Sequence, residues 1–274
     1  MGTSGPMHQR FHRPNPSLLA SELPRAMIEM QAFACSIPLL RTLPPGDGHT
    51  VLVLPGFTAD DPSTAALRWF LSDRGYRAVP WGLGCNLGPT DKILDGMAAL
   101  VEKLCRDRER ISIIGWSLGG IFARELGRET PDAIRSVITL GSPFRLTDQD
   151  MEPTGGATAP YNALASLHSD RAKGALQPDD ERPEIRVPVT NIYTRADGVA
   201  PWQSCVDVRG GCCENIEIPG SHCGLGHNPV ALAIIADRLA QHEGAWRPYE
   251  VKGCLSAIVR VGPIPECSPV LAAS

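Results

Sequence analysis

The sequence predicts an α/β architecture: a mostly parallel central sheet covered by helices on both faces. Two observations carry that expectation. Short, wholly apolar runs recur along the chain, VLVLP at 51–55 and ISIIGW at 111–116 being the clearest. A run without polar alternation suits a strand buried on both faces, as parallel strands are. Between these runs stand segments with helical periodicity, of the length that a right-handed βαβ crossover requires.

Bulk properties are compatible with this and exclude other classes. The chain has 274 residues, 43% of them hydrophobic, enough for a substantial core. Lys and Arg number 26 against 30 Asp and Glu, a net charge of -4. No basic block rises from that balance, which argues against nucleic acid or an anionic membrane as the main partner. No apolar run approaches the roughly 18 residues of a membrane-spanning helix. The first residues lack the apolar stretch of a secretory signal, so a cytoplasmic location is expected.

Residues 1–44 read as an N-terminal extension with a helical part from Leu18 to Leu40, interrupted by Pro24 and Pro38. Leu19, Leu23, Met27, Met30 and Ala34 share one face of it, expected to pack on the domain or, as the other reading, to touch a lipid surface. The domain proper runs over 45–247. Its first strand is 51–55, followed by the helix TAALRWFLSDRG, which stops at Gly75. The strand 76–81 comes next, then a helix over 91–107 with Ile93, Leu94, Met97, Leu100, Val101 and Leu104 on its apolar side. After the strand 111–116 comes the helix LGGIFARELGRET, then strands at 136–143, 189–194 and 215–220 and the helix NPVALAIIADRLAQHEG. The 144–188 insertion is too long for a simple crossover. The tail, 248–274, offers an edge strand within 254–262 and a proline-rich, disordered end.

In such sheets ligands bind beyond the carboxyl ends of the strands, so chemistry is sought just after each one. At the end of ISIIGW stands Gly115-Trp116-Ser117-Leu118-Gly119-Gly120, opening a helix. A sharp strand-to-helix turn crowds the backbone, demands small neighbours, and lifts the Ser117 hydroxyl above the sheet. A serine needs a base, and the base needs an orienting acid. His222 lies between the last strand and the last helix in a loop of small residues and is the expected base. His227, just before the helix start Asn228-Pro229, is read as a capping or packing residue, and the other histidines as surface residues. Asp197, directly after VTNIYT, is the expected acid, against the plainer reading of an Asp-Gly turn. An oxyanion needs backbone N–H donors. Leu118 offers one, and Phe57, after the tight Pro55-Gly56 turn, the other.

With LPGF, GWSLGG, TRADGV and GSHCG in order, the chain resembles the α/β-hydrolase superfamily, and within it bacterial lipase- and esterase-like serine hydrolases. The resemblance covers roughly residues 45–247. It implies Ser117, Asp197 and His222 as a triad, Phe57 and Leu118 as oxyanion amides, and a cap or lid in the insertion, with a short helix over Tyr161–Leu167; the alternative is a surface loop. An HGGG oxyanion motif and the H-x-x-x-x-D signature of acyltransferases are both absent. The expected activity is cleavage of lipid-like or short acyl esters through an acyl-enzyme, with neither cofactor nor metal. Transfer of the acyl group to another acceptor, as in an acyltransferase or perhydrolase, uses the same residues, and a catalytically silent interaction protein is the remaining alternative. Phe57, Trp81, Leu83, Trp116, Leu118 and Trp202 are either an acyl pocket or core. The nine cysteines fit no zinc or redox spacing. The patch Cys205, Cys212, Cys213 and Cys223 beside His222 and His227 is read as buried thiols, a loop disulfide such as Cys205 with Cys223, or, least favoured, a metal site. Oligomeric state has no signal in the sequence.

Overall fold

A computed structural model describes residues 11, 13–106, 109–146, 158–172 and 182–262. The described strands are β1 (Thr50–Leu54), β2 (Arg77–Pro80), β3 (Ile111–Trp116), β4 (Ile134–Leu140), β5 (Val189–Tyr193), β6 (Cys213–Glu217) and β7 (Arg260–Val261). They form one sheet in the order β2-β1-β3-β4-β5-β6-β7. Every pairing is parallel except β6 with β7.

The two-residue period of a strand explains why these runs are apolar throughout. Along β1, Val51 and Val53 enter one core, and Leu52 and Leu54 enter the other. The first core is closed by α3 (Ala65–Asp73) and α7 (Pro229–Leu239), through Leu67, Phe70, Leu71, Leu232 and Ile235. The second is closed by α4 (Asp91–Leu104) and α5 (Leu118–Glu129), through Ile93, Met97, Val101, Phe122 and Leu126. The sheet is covered on both faces, as the alternation of strands and helices predicts.

One ion pair is sealed inside. Arg124 of α5 is fully buried, donates to Asp207 Oδ2 at 2.6 Å and Asn191 Oδ1 at 3.2 Å, and lies 3.7 Å over the Phe144 ring. Burial pushes the Asp207 carboxyl up, but the Arg124 charge and hydrogen bonds outweigh it and hold its pKa below the usual value.

Departures from expectation have physical reasons. The N-terminal helices are α1 (Pro16–Ala20) and α2 (Glu22–Leu40), and the break falls at Ser21 rather than at either proline. Pro24 lies in the first turn of α2, where backbone N–H groups have no helical partner to lose, and Pro38 sits near its end. The face of Leu19, Leu23, Met27, Met30 and Ala34 is exposed; α2 instead buries Glu22, Ala26, Phe33 and Leu40. In the tail, 254–257 lies in a 3₁₀ turn and only Arg260–Val261 pairs as a strand, while Tyr249 and Val259 enter the first core. The proline-rich end, from residue 263, is outside the described residues. Within the insertion a helix, α6 (Thr158–Ala163), starts three residues earlier than expected and is followed by a 3₁₀ turn at Ala165–Leu167. Trp81 is a core side chain, 1% exposed, with its indole N–H on Gly84 O at 2.9 Å.

Candidate active site

Between the last residue of β3 and the first of α5 only Ser117 intervenes, at φ 53° and ψ -120°. A non-glycine residue held there stores about 1–3 kcal/mol of strain. Ser117 N donates to Leu140 O at 2.8 Å, binding the turn to the end of β4. The flanking glycines are steric necessities: a Cβ on Gly115 would stand 2.2 Å from Gly119 O, and one on Gly119 2.5 Å from Leu54 O. Both obstacles are backbone, which cannot swing aside. Gly115→Ala is therefore expected to cost about 3 kcal/mol or more, read as a lower urea midpoint at unchanged m-value.

The loop after β5 carries Asp197, and the loop after β6 carries His222. The two meet: Asp197 Oδ2 lies 2.6 Å from His222 Nδ1. Both are buried, at 3% and 5% exposure. The other carboxylate oxygen, Asp197 Oδ1, accepts from Val199 N at 2.8 Å and Ala200 N at 2.7 Å, so the acid is anchored to its own loop. With Nδ1 donating to Asp197, the ring presents its Nε2 lone pair as a base. Burial alone lowers the His222 pKa, but the Asp197 charge and hydrogen bond, with the Glu22 charge added, raise it above 6.5. The residue preceding Ser117 reaches the same loop, since Trp116 Nε1 donates to His222 O at 2.9 Å. Ser117 is partly buried, and its hydroxyl makes no hydrogen bond among the described residues.

Gly56 backs onto the Ser117 turn, a Cβ there standing 3.3 Å from Ser117 Cβ. The amides of Phe57 and Leu118 have no hydrogen-bond partner among the described residues. The loop is held by a residue that sequence reading passed over. Asn86, fully buried, donates its side-chain amide to Pro55 O at 2.8 Å, accepts Thr58 N on its backbone oxygen at 2.7 Å, and donates its own N–H to Ala59 O. Thr58 takes φ 58° under that grip. An asparagine in a glycine- and proline-rich loop reads as one more turn residue, and no spacing marks it. The Phe57 ring meets Tyr161 of α6 edge-on at 5.4 Å. His168 and Ser169 tie the same segment to the loop before α4, through Leu87 O and Pro89 O.

Other histidines have structural work. His227 Nε2 lies 3.0 Å from Ala26 O of α2, a packing role. His168 is partly buried rather than on the surface, as is His49. His49 bonds Asp47 through Nδ1 and lies 2.9 Å from Ser112 Oγ through Nε2, a second acid–histidine–serine chain. Ser112 is fully buried inside β3 and already paired to Ser136 Oγ at 2.9 Å, so no acyl group reaches it. Cys205 and Cys223 are both free thiols, which removes the disulfide reading. Among the described residues no three metal-ligating side chains converge.

No family model matches the chain. It is similar to a carboxylesterase of Bacillus subtilis, 25% identical over 176 residues, which cover 60% of this chain and 68% of that one. A pimeloyl-[acyl-carrier protein] methyl ester esterase of Neisseria meningitidis is 36% identical over 84 residues, only 30% of either chain. In fold it is similar to a solved metagenome-derived lipolytic enzyme at TM-score 0.55 and 14% identity, covering 73% of this chain and 96% of that one. The parallel sheet order, the helices on both faces and this likeness agree, and the chain adopts the α/β-hydrolase fold.

Proposed function

We propose that the protein hydrolyses carboxylic esters through an acyl-enzyme on Ser117, with His222 as base and Asp197 as its orienting acid. The observation that carries this reading is the buried Asp197–His222 pair, whose loop is bonded by the residue next to a serine in strained backbone. As Ser117 Oγ adds to the ester carbonyl, its proton passes to His222 Nε2 and the carbonyl electron pair moves onto oxygen. The Phe57 and Leu118 N–H groups receive that oxyanion. Collapse expels the alcohol, which leaves with the proton from His222. Water, deprotonated in turn by His222, then adds to the acyl-serine; the bond to Ser117 Oγ breaks, Oγ recovers the proton from His222, and the acid leaves. Asp197 stays ionised and holds the ring in the Nδ1–H tautomer. The names of the two relatives, both esterases, support the reaction class. The 158–167 segment, with Tyr161 on Phe57, serves as a short lid over an acyl group of lipid-like or short ester substrates.

A fluorophosphonate probe tests the reaction class: the wild type labels and Ser117→Ala does not. No labelling of the folded wild type, or equal labelling of both, overturns the proposal. A chain-length panel of nitrophenyl esters then defines the acyl preference, and uniform inactivity along it overturns the acyl-ester substrate. The pH profile follows from the histidine. Only neutral His222 accepts the serine proton, and its pKa is raised, so kcat/KM rises with pH and reaches half its plateau above pH 6.5. A rate that shows no acid limb at all contradicts the assignment of His222 as base.

A further inference from the structure

We infer that Glu22 of α2 is a positioning residue for the triad, its single carboxylate bridging the loop that carries Asp197 to the loop that carries His222. The inference rests on the triad reading above. Glu22 Oε1 accepts from Gly198 N at 2.8 Å, and Oε2 accepts from Cys223 N at 2.9 Å. These are the peptide groups immediately after Asp197 and immediately after His222. An ionised carboxylate has two oxygens and no proton, so it meets one N–H on each loop at once. A glutamine in its place meets one donor and turns an N–H₂ toward the other.

The rest of α2 completes the clamp with the opposite polarity. Arg25 donates to Ala196 O at 2.8 Å and Gly220 O at 3.2 Å, and pairs with Glu22 Oε1 at 2.7 Å. Glu29 accepts from Ser221 N at 2.8 Å and Asn228 Nδ2 at 3.0 Å. Close approach explains two glycines of these loops. A Cβ on Gly198 would lie 2.4 Å from the backbone of Leu18, and one on Gly224 2.2 Å from Glu29 Oε2. Glu22 is 3% exposed, so its charge acts on His222 with little screening by water. The charges that act on His222 are those of Asp197 from the β5 loop and Glu22 from α2, while Arg25 and Glu29 of α2 hold its loop at Gly220 O and Ser221 N. The same carboxylate, after burial, pushes the Cys223 thiol up to about 11.

The test uses the full chain with Glu22→Gln, Glu22→Asp and, as a control, Phe33→Leu. Phe33 is a buried α2 side chain that packs on Trp69 and has no polar group to bond either loop. Glu22→Gln is expected to lower kcat about 10- to 100-fold, the scale of a misplaced catalytic group, with KM within about threefold. Its acid limb moves to lower pH, because a negative charge that raises the His222 pKa is gone. Glu22→Asp keeps the charge but is too short to span both N–H groups, so kcat falls while the limb stays. Should Glu22→Gln fail to fold, the Asp variant alone decides the span. Phe33→Leu lowers the melting temperature and leaves both kcat and the limb at wild-type values. Wild-type kcat in either folded Glu22 variant, or a Gln variant that loses activity with its limb unmoved, overturns the inference. Esterase activity that survives Ser117→Ala overturns the triad reading instead, and so the two failures are distinct.

Discussion

Ser117→Ala is expected to lower kcat on a nitrophenyl ester by about 10⁴- to 10⁶-fold, with the protein still folded, if Ser117 is the proposed nucleophile. The size follows from how a triad works: its members act as a unit, and without the nucleophile only binding and the oxyanion amides remain. A 10⁴-fold loss corresponds to about 5.5 kcal/mol of transition-state stabilisation. Stability separates this variant from its glycine counterpart. Alanine at φ 53° keeps the backbone strain, whereas glycine adopts that region freely. Ser117→Gly is therefore as inactive as Ser117→Ala and more stable than it by about 1 kcal/mol, measured by urea unfolding. Retention of more than a tenth of wild-type kcat in the alanine variant would remove Ser117 from the mechanism.

Arg124→Met is expected to destabilise the fold by about 3–5 kcal/mol without a large change in kcat below the unfolding transition. Removing one member of a buried pair leaves the other uncompensated, and the cost is that of an isolated buried charge. Here the orphan is Asp207, 4% exposed, whose low pKa depends on the Arg124 charge and hydrogen bond. Its carboxylate also accepts Arg209 N at 2.9 Å, so the second substitution has to keep an acceptor. Asp207→Asn does so, and adding it to Arg124→Met is expected to restore more than half of the loss. The sign with pH also follows. In the wild type the depressed Asp207 pKa contributes stability above the unfolded carboxylate value near 3.9, and this is lost as pH falls. In Arg124→Met that acid-labile contribution is absent. A single-variant cost below 1 kcal/mol would show that the pair is not sealed from water.

Much of the fold was legible because parallel strands announce themselves. Val51 to Leu54 and Ile111 to Ile114 are apolar on both faces because each face meets a separate core, and that pattern survives in one dimension. Boundaries were less legible. β4 begins at Ile134, before the run that marked it, and β6 ends at Glu217, before its Ile-Pro-Gly, since ladder pairing rather than hydropathy sets strand ends. The α2 face went the other way. Its apolar stripe of Leu23, Met27 and Met30, continued by Leu19 of α1, looks outward, while Glu22 and Glu29 point at the loops after β5 and β6. Periodicity assumes that a helix packs on side chains. This helix buries Phe33 and Leu40 in the first core but sets Glu22 and Glu29 against loop backbone, whose N–H groups they accept.

Local sterics and chain order are the part that can be read along the chain. Ser117 needs Gly115 because the turn brings Gly119 O within 2.2 Å of where its Cβ would be, and that constraint is written within five residues. The order of Ser117, Asp197 and His222, each after its own strand, follows from a sheet whose strand ends share one edge. Only the tertiary structure decided the supports: Asn86 under the Phe57 loop, Arg124 against Asp207, and Glu22 between the acid and base loops. Each joins backbone or charge across more than 20 residues of chain, where no period or motif can register, because the partner is defined by distance in space.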